Sequence, residues 1–229
     1  MNGQQPSTST QISTQTPARP VQAQVQPAQP GKPDIKANFW RWLWWFIWED
    51  NSIWSWIVNI ILAFVIIKFI VYPGLGLLLG TGFPIVAVVS GSMEHDGSFD
   101  QWWTSQCGSA SQSELYAEYG VDKTEFGAFR FRNGFNKGDL MILRSAKEVG
   151  LGDVVVFSAP GLRDPIIHRA VAISDSSITT KGDHNCVSAP FETNLSQERL
   201  LGKALFRLPY LGWIKIGFVE LVNIIAGRN

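Results

Sequence analysis

The chain has 229 residues with 19 basic and 19 acidic side chains, so it is neutral overall and lacks the basic excess expected of a nucleic-acid binder. Two cysteines, Cys107 and Cys186, and three histidines show no CxxC pair and no metal-ligand spacing, and the sequence assigns neither a metal nor a cofactor. Most of the ten tryptophans fall between Trp40 and Trp56, a crowding typical of membrane–water interfaces and not explained by a soluble core.

Residues 1–36 are rich in Gln, Pro, Ser and Thr and bury too little apolar surface to offset their ordering entropy, which predicts a disordered cytoplasmic tail. Residues 37–51 hold the run Phe39 to Trp48, too short to cross a bilayer and stopped by Glu49-Asp50-Asn51, and read as an interfacial helix. Residues 52–73 form a transmembrane helix from Ile53 to Tyr72, about 30 Å long, ended by Pro73-Gly74. Arg19, Lys32, Lys36 and Arg41 precede the span, which places the N-terminus in the cytoplasm and residues 74–207 outside it.

Leu75 to Val89 is strongly apolar and reads as a membrane-hugging lip running into a strand, Ile85-Val86-Ala87-Val88-Val89, that breaks at Ser90-Gly91-Ser92. Residues 97–133 lack clean periodicity and read as an insertion with a short helix from Ser113 to Tyr119 and no chemistry. Its Trp102-Trp103 pair either touches lipid or covers the core. Strands follow at Leu140–Leu143, Val154–Phe157, Ile166–Ile173, Ser177–Lys181 and Leu201–Arg207, separated by Gly/Asp turns. No helical pattern falls between them, so this is a mainly β, antiparallel domain. Residues 208–229 form an amphipathic helix, with Ile214, Phe218, Leu221, Val222 and Ile225 on one face, that lies on the membrane or makes a second span.

A serine hydroxyl becomes a useful nucleophile only beside a base, and histidine suits that role near neutrality. His95 sits in a polar turn with loose geometry, and His184 in an exposed loop. His168 lies mid-strand among aliphatics, where it is either a satisfied core histidine or a placed base.

In order along the chain stand Ser90-Gly91-Ser92-Met93 after a membrane span, Gly152-Asp153-Val154-Val155-Val156-Phe157, Ile167-His168-Arg169-Ala170-Val171 and Lys181-Gly182-Asp183-His184-Asn185. This series resembles the type I signal peptidase family in its archaeal and endoplasmic-reticulum branch, over residues 73–213. The resemblance implies an antiparallel β catalytic domain at a membrane surface, in an archaeal cell membrane or an endoplasmic-reticulum-type membrane. It implies Ser92 as nucleophile, His168 as general base, Ser90 as oxyanion donor and Asp183 as the acid supporting the histidine. Signal peptides of exported proteins would lie against Ile85, Val86, Ala87, Val88 and Val89 by strand addition. Further partners would be the lipid bilayer and a translocon or other peptidase subunits.

Two departures stand out. Ser92 is followed by Met93-Glu94-His95-Asp96 where the family has Ser-Met-Glu-Pro-Thr, which gives His95 a chance of modulating the nucleophile. The branch's second aspartate, six residues after Asp183, is replaced here by Ala189. Either Asp183 does the whole acidic job, Glu192 reaches in, or a dyad operates. A catalytically degenerate binding or assembly subunit is the alternative function, and a peptidase for pilin-like precursors a third. Whether Cys107 and Cys186 pair stays open on sequence alone.

Overall fold

A computed structural model describes residues 33–36 and 38–227, so the tail expected over 1–36 lies, up to residue 32, outside the described residues. The chain divides into two compact units, one ending at Asn59 and the other beginning at Ile60. Helix α1, Phe39–Trp48, is capped by the Asn38 side chain, which accepts from the Arg41 N–H. Its last carbonyls are satisfied from further along the chain: Ser55 Oγ donates to Phe46 O at 2.6 Å and Asn59 Nδ2 to Ile47 O at 2.9 Å.

Helix α2, Ile53–Ile66, passes through a π-helical turn, Ile67–Val71, into α3, Tyr72–Leu79. Together they make one apolar helix of 27 residues, with mean hydropathy 2.3 over an 18-residue stretch, long and apolar enough to cross a membrane. The predicted stop at Pro73-Gly74 does not occur. Proline lacks an N–H and its ring crowds the carbonyl one turn back. The wider π turn, in which the Tyr72 N–H reaches Ile67 O, delivers Pro73 into the first turn of α3, where its missing donor costs little. The helix ends instead at Gly80, in the left-handed conformation with φ 66°. Leu75 to Leu79, expected as a lip, is therefore helical, with Leu77 and Leu78 exposed.

Strand β1, Ile85–Ala87, leads to the serine turn and then the insertion. That insertion folds into α4 (Phe99–Trp103), a β2–β3 hairpin (Gln106–Cys107, Ala110–Ser111), α5 (Gln112–Ala117) and α6 (Lys123–Ala128). Ser98 and Ser111 open α4 and α5 with reciprocal capping boxes, each closed by the Gln or Glu three residues later. Trp102 and Trp103 are buried, packing with Tyr116, Val121, Phe126 and Val171. A disulfide joins Cys107 on β2 to Cys186 across 79 residues.

Strands β4 (Leu140–Arg144), β5 (Val154–Phe157), β6 (Ile166–Ile173), β7 (Ile178–Lys181) and β8 (Leu200–Leu208) complete a six-stranded antiparallel sheet of order β1-β4-β8-β5-β6-β7. Val88, Met93, Phe135, Met141, Leu143, Val154 and Val156 form its main core. Helix α7, Gly212–Ile225, has 14 residues. At about 21 Å it is too short to cross a hydrocarbon core. Its Gly212 and Ile216 are buried, while Ile214, Phe218, Leu221, Val222 and Ile225 are exposed. It starts against the Gly138 turn, where φ of 90° and the Trp213 indole leave no room for a β-carbon.

Candidate active site

Ser92 and His168 come from strands far apart in the sheet order, the turn after the edge strand β1 and the middle of β6, next to the other edge. The serine turn is held by its backbone. The Ser92 carbonyl accepts from His184 N–H and the Met93 carbonyl from Phe135 N–H, both at 2.9 Å. The Met93 side chain is fully buried in the core. Gly182 lies so close that a β-carbon there would sit 2.8 Å from the Ser92 carbonyl oxygen. His168 Nε2 consequently stands 2.9 Å from Ser92 Oγ, and Ser90 Oγ stands 3.2 Å from the same hydroxyl.

The other imidazole nitrogen, Nδ1, is hydrogen-bonded to Glu192 Oε1. Glu192 ends the short 3-10 turn Pro190–Glu192 and is 1% exposed. Its carboxylate also accepts from Thr180 Oγ1 at 3.2 Å and from Ala189 N–H at 2.7 Å. A carboxylate only accepts, so Nδ1 carries the proton and Nε2 presents its lone pair to the Ser92 hydroxyl. This is the polarity that lets a histidine withdraw a serine proton.

Asp183, expected on His168, is bonded elsewhere. It takes Arg169 Nε at 2.9 Å and Nη2 at 2.6 Å, Tyr116 Oη at 2.7 Å and His95 Nε2 at 2.9 Å. Strand parity explains the correction. His168 and Arg169 are neighbours on β6 and project from opposite faces. Ala170 pairs with Thr180 and Arg169 with Lys181, so Thr180 shares the His168 face and Lys181 the Arg169 face, and Asp183 follows in the turn after β7, where it meets Arg169. Burial alone would raise the Asp183 carboxyl, but the Arg169 charge and the hydrogen bonds from His95 and Arg169 prevail and hold it well below the usual carboxylate range. Desolvation above all, then the Asp183 charge, push the Tyr116 phenol well above its ordinary value, so it stays a donor.

No family model matches the chain. The human signal peptidase complex catalytic subunit SEC11C is 27% identical over 158 residues, covering 64% of this chain and 62% of the relative. Subunit SEC11 of Scheffersomyces stipitis is 28% identical over 165 residues (67% of this chain, 76% of the relative), and that of Chaetomium globosum 24% over 164 residues (66% and 73%). Its homologues are signal peptidase catalytic subunits. The chain thus spans under two thirds of the length of the human signal peptidase relative, and the six-stranded antiparallel sheet is consistent with a signal-peptidase-type domain.

A cleft of about 280 Å³ opens at the serine, lined by Val86, Ala87, Val89, Ser90, Pro165, His168 and the start of β6 at Ile166 and Ile167. Of the five residues expected to receive a peptide, three reach it. Val88 does not: its side chain is in the core, and its N–H and C=O bond Asp139 O and Gly138 N at 2.9 Å. Ile85 also stays outside the lining. By the alternation of an extended chain, the backbone groups of Ala87 and Val89 point away from β4, toward the edge that β1 leaves open among the described residues.

His95 departs from the loose polar turn expected for it. Its side chain is 1% exposed and stacks on Trp102 with centroids 3.6 Å apart. His184 is exposed, as its loop position indicates. The sequence reading missed Arg169 and Tyr116, and it named Glu192 without preferring it. The visible signal was the His168-Arg169 pair itself, since two adjacent polar residues on a buried strand need partners on both faces.

Proposed function

We propose that the chain is a membrane-anchored serine endopeptidase that removes signal peptides from exported proteins, with its β domain outside the cytoplasm at an endoplasmic-reticulum-type membrane. The observation that carries this reading is the relay Ser92 Oγ–His168 Nε2 at 2.9 Å with His168 Nδ1 on Glu192. In this mechanism His168 takes the Ser92 proton as Oγ attacks the scissile carbonyl. Glu192 stabilises the imidazolium that forms without itself being protonated, and the Ser90 hydroxyl donates to the oxyanion. His168 then gives its proton to the leaving amine, and water, deprotonated by the same imidazole, hydrolyses the acyl ester.

The substrate strand pairs with the free backbone groups of Ala87 and Val89, seating a small side chain in the cleft. The helix from Ile53 to Leu79 anchors the enzyme, the β domain that follows it catalyses, and α7, Gly212–Ile225, lies along the membrane. Other peptidase subunits or a translocon are its protein partners. In a cleavage assay on a signal-bearing precursor, Ser92→Ala and His168→Ala each lower the rate by about 10⁴-fold or more. Full activity in both variants would end this assignment.

A further inference from the structure

Away from the serine, a cleft of about 600 Å³ lies between the turn after α6 and the strand β8. Arg130, Arg132 and Arg207 line it together with Leu205 and Phe206, and no carboxylate does. The three guanidiniums are aimed by backbone carbonyls: Arg130 Nη1 donates to Leu205 O at 2.6 Å, Arg132 Nη1 to Gly127 O and Arg207 Nη1 to Gly134 O, both at 3.3 Å. A carbonyl orients such a group without neutralising it. Among the described residues, Arg207 alone of the three has a carboxylate within 4.0 Å, Asp139 at 3.7 Å.

The turn presenting two of these arginines is also held rigidly. Phe131 adopts φ of 57°, a conformation bulky residues rarely take. The carbonyls of Arg130 and Phe131 on either side of it accept from the buried Arg169 at 2.9 and 3.0 Å.

The surroundings indicate the ligand. Phe206 in this cleft is 59% exposed, and Leu208 beside it 41%. Leu205 also lines a second cleft with Leu78 and Leu79, at the end of the apolar helix, where three cations, Arg144, Lys147 and Lys203, stand against one carboxylate, Glu148. Cationic groups beside exposed apolar side chains, at the exit of a 27-residue apolar helix, match the headgroup layer of a bilayer. We propose that the Arg130–Arg132–Arg207 cleft binds the headgroup phosphate of an anionic phospholipid, with Phe206 and Leu205 against its acyl chains. The arginines form bidentate phosphate contacts, and the apolar wall distinguishes a lipid from a free anion. This site is separate from the peptidase reading and stands or falls without it.

Native mass spectrometry of the full-length protein in neutral detergent, with added phosphatidylglycerol or phosphatidylcholine, tests the proposal. Wild type is expected to retain phosphatidylglycerol about tenfold over phosphatidylcholine, and Arg130→Gln, Arg132→Gln and Arg207→Gln each lower retention about fivefold. Arg132→Glu, on an exposed side chain, lowers it further, while Arg163→Gln, on an exposed loop away from this cleft, leaves it unchanged. Equal retention of the two lipids, unaltered retention in the arginine variants, or an equal fall in Arg163→Gln would overturn it. Complete displacement by millimolar inorganic phosphate would show an anion site only, which also overturns the lipid assignment.

Discussion

Two neighbouring residues on β6 serve two very different environments. His168 faces an open cleft and bonds one hydroxyl and one carboxylate. Arg169 faces a sealed interior, is fully buried, and spends its guanidinium on Asp183 and the carbonyls of Arg130, Gly152 and Phe131. It also lies over the Phe126 ring at 4.7 Å. On the Arg169 side the guanidinium is matched by the Asp183 carboxylate, so that side acts as a brace. On the His168 side a lone pair is left pointing at a hydroxyl, so that side can react. The difference teaches that nearness in sequence to a base does not make an acid its partner, because the pleat sends adjacent side chains to opposite faces.

Both sides meet in the segment from Gly182 to Glu192. It presses on the Ser92 carbonyl, carries Asp183 into the brace, is tied to the insertion at Cys186 and by a Tyr119–Ser188 hydrogen bond of 3.1 Å, and ends at Glu192. The insertion, read from sequence as lacking chemistry, supplies Tyr116 and the Trp102 platform under His95.

Separating the two faces by mutation is the sharpest test. Glu192→Gln leaves shape intact but offers His168 the wrong hydrogen-bonding pattern. Precursor cleavage is expected to fall about 10²- to 10⁴-fold while the melting temperature moves little. Asp183→Asn has the reverse signature. It leaves Arg169 buried without its counter-charge and costs about 3–5 kcal/mol in denaturant unfolding, with cleavage by the folded fraction retained. If Asp183→Asn abolishes turnover in stably folded protein, the contrast between the faces is wrong.

Next in size is the tether. Replacing both Cys107 and Cys186 by Ser frees the segment from the insertion and is expected to cost up to roughly 4 kcal/mol, read from the unfolding midpoint of oxidised wild type against the variant. The smallest effect is a pH dependence on the brace side. Lys181 is buried beside Gln112, Gly182 and the Tyr116 ring, and desolvation lowers it to about 8 despite the attraction of Asp183 and Glu192. Between pH 8 and its ordinary value of 10.5 the unfolded chain holds a proton there that the folded chain has released. Stability from this group therefore rises with pH across that window. Urea unfolding at pH 8, 9 and 10 should show the rise, and Lys181→Met should flatten it.

Much was legible in the sequence because it depends on local pattern. The extents of α1, β5 and β6 follow from apolar runs and turn residues, and the ordered serine, histidine and Gly-Asp blocks pointed to the signal peptidase relatives. Three things required tertiary structure. The apolar helix ran past Pro73 to Leu79, because a π turn upstream, invisible to composition, accommodates the ring. Val88 went to the core and not to the cleft, because its backbone bonds were taken by the Gly138-Asp139 turn. Glu192 and not Asp183 reached His168, because that choice depends on the β6–β7 register and its bulge between Ala170 and Ala172. Residue types and spacing determined that a serine, a histidine and an acid would be present. Which acid faces which base is a long-range property, decided only when register assigns each side chain a face of the sheet.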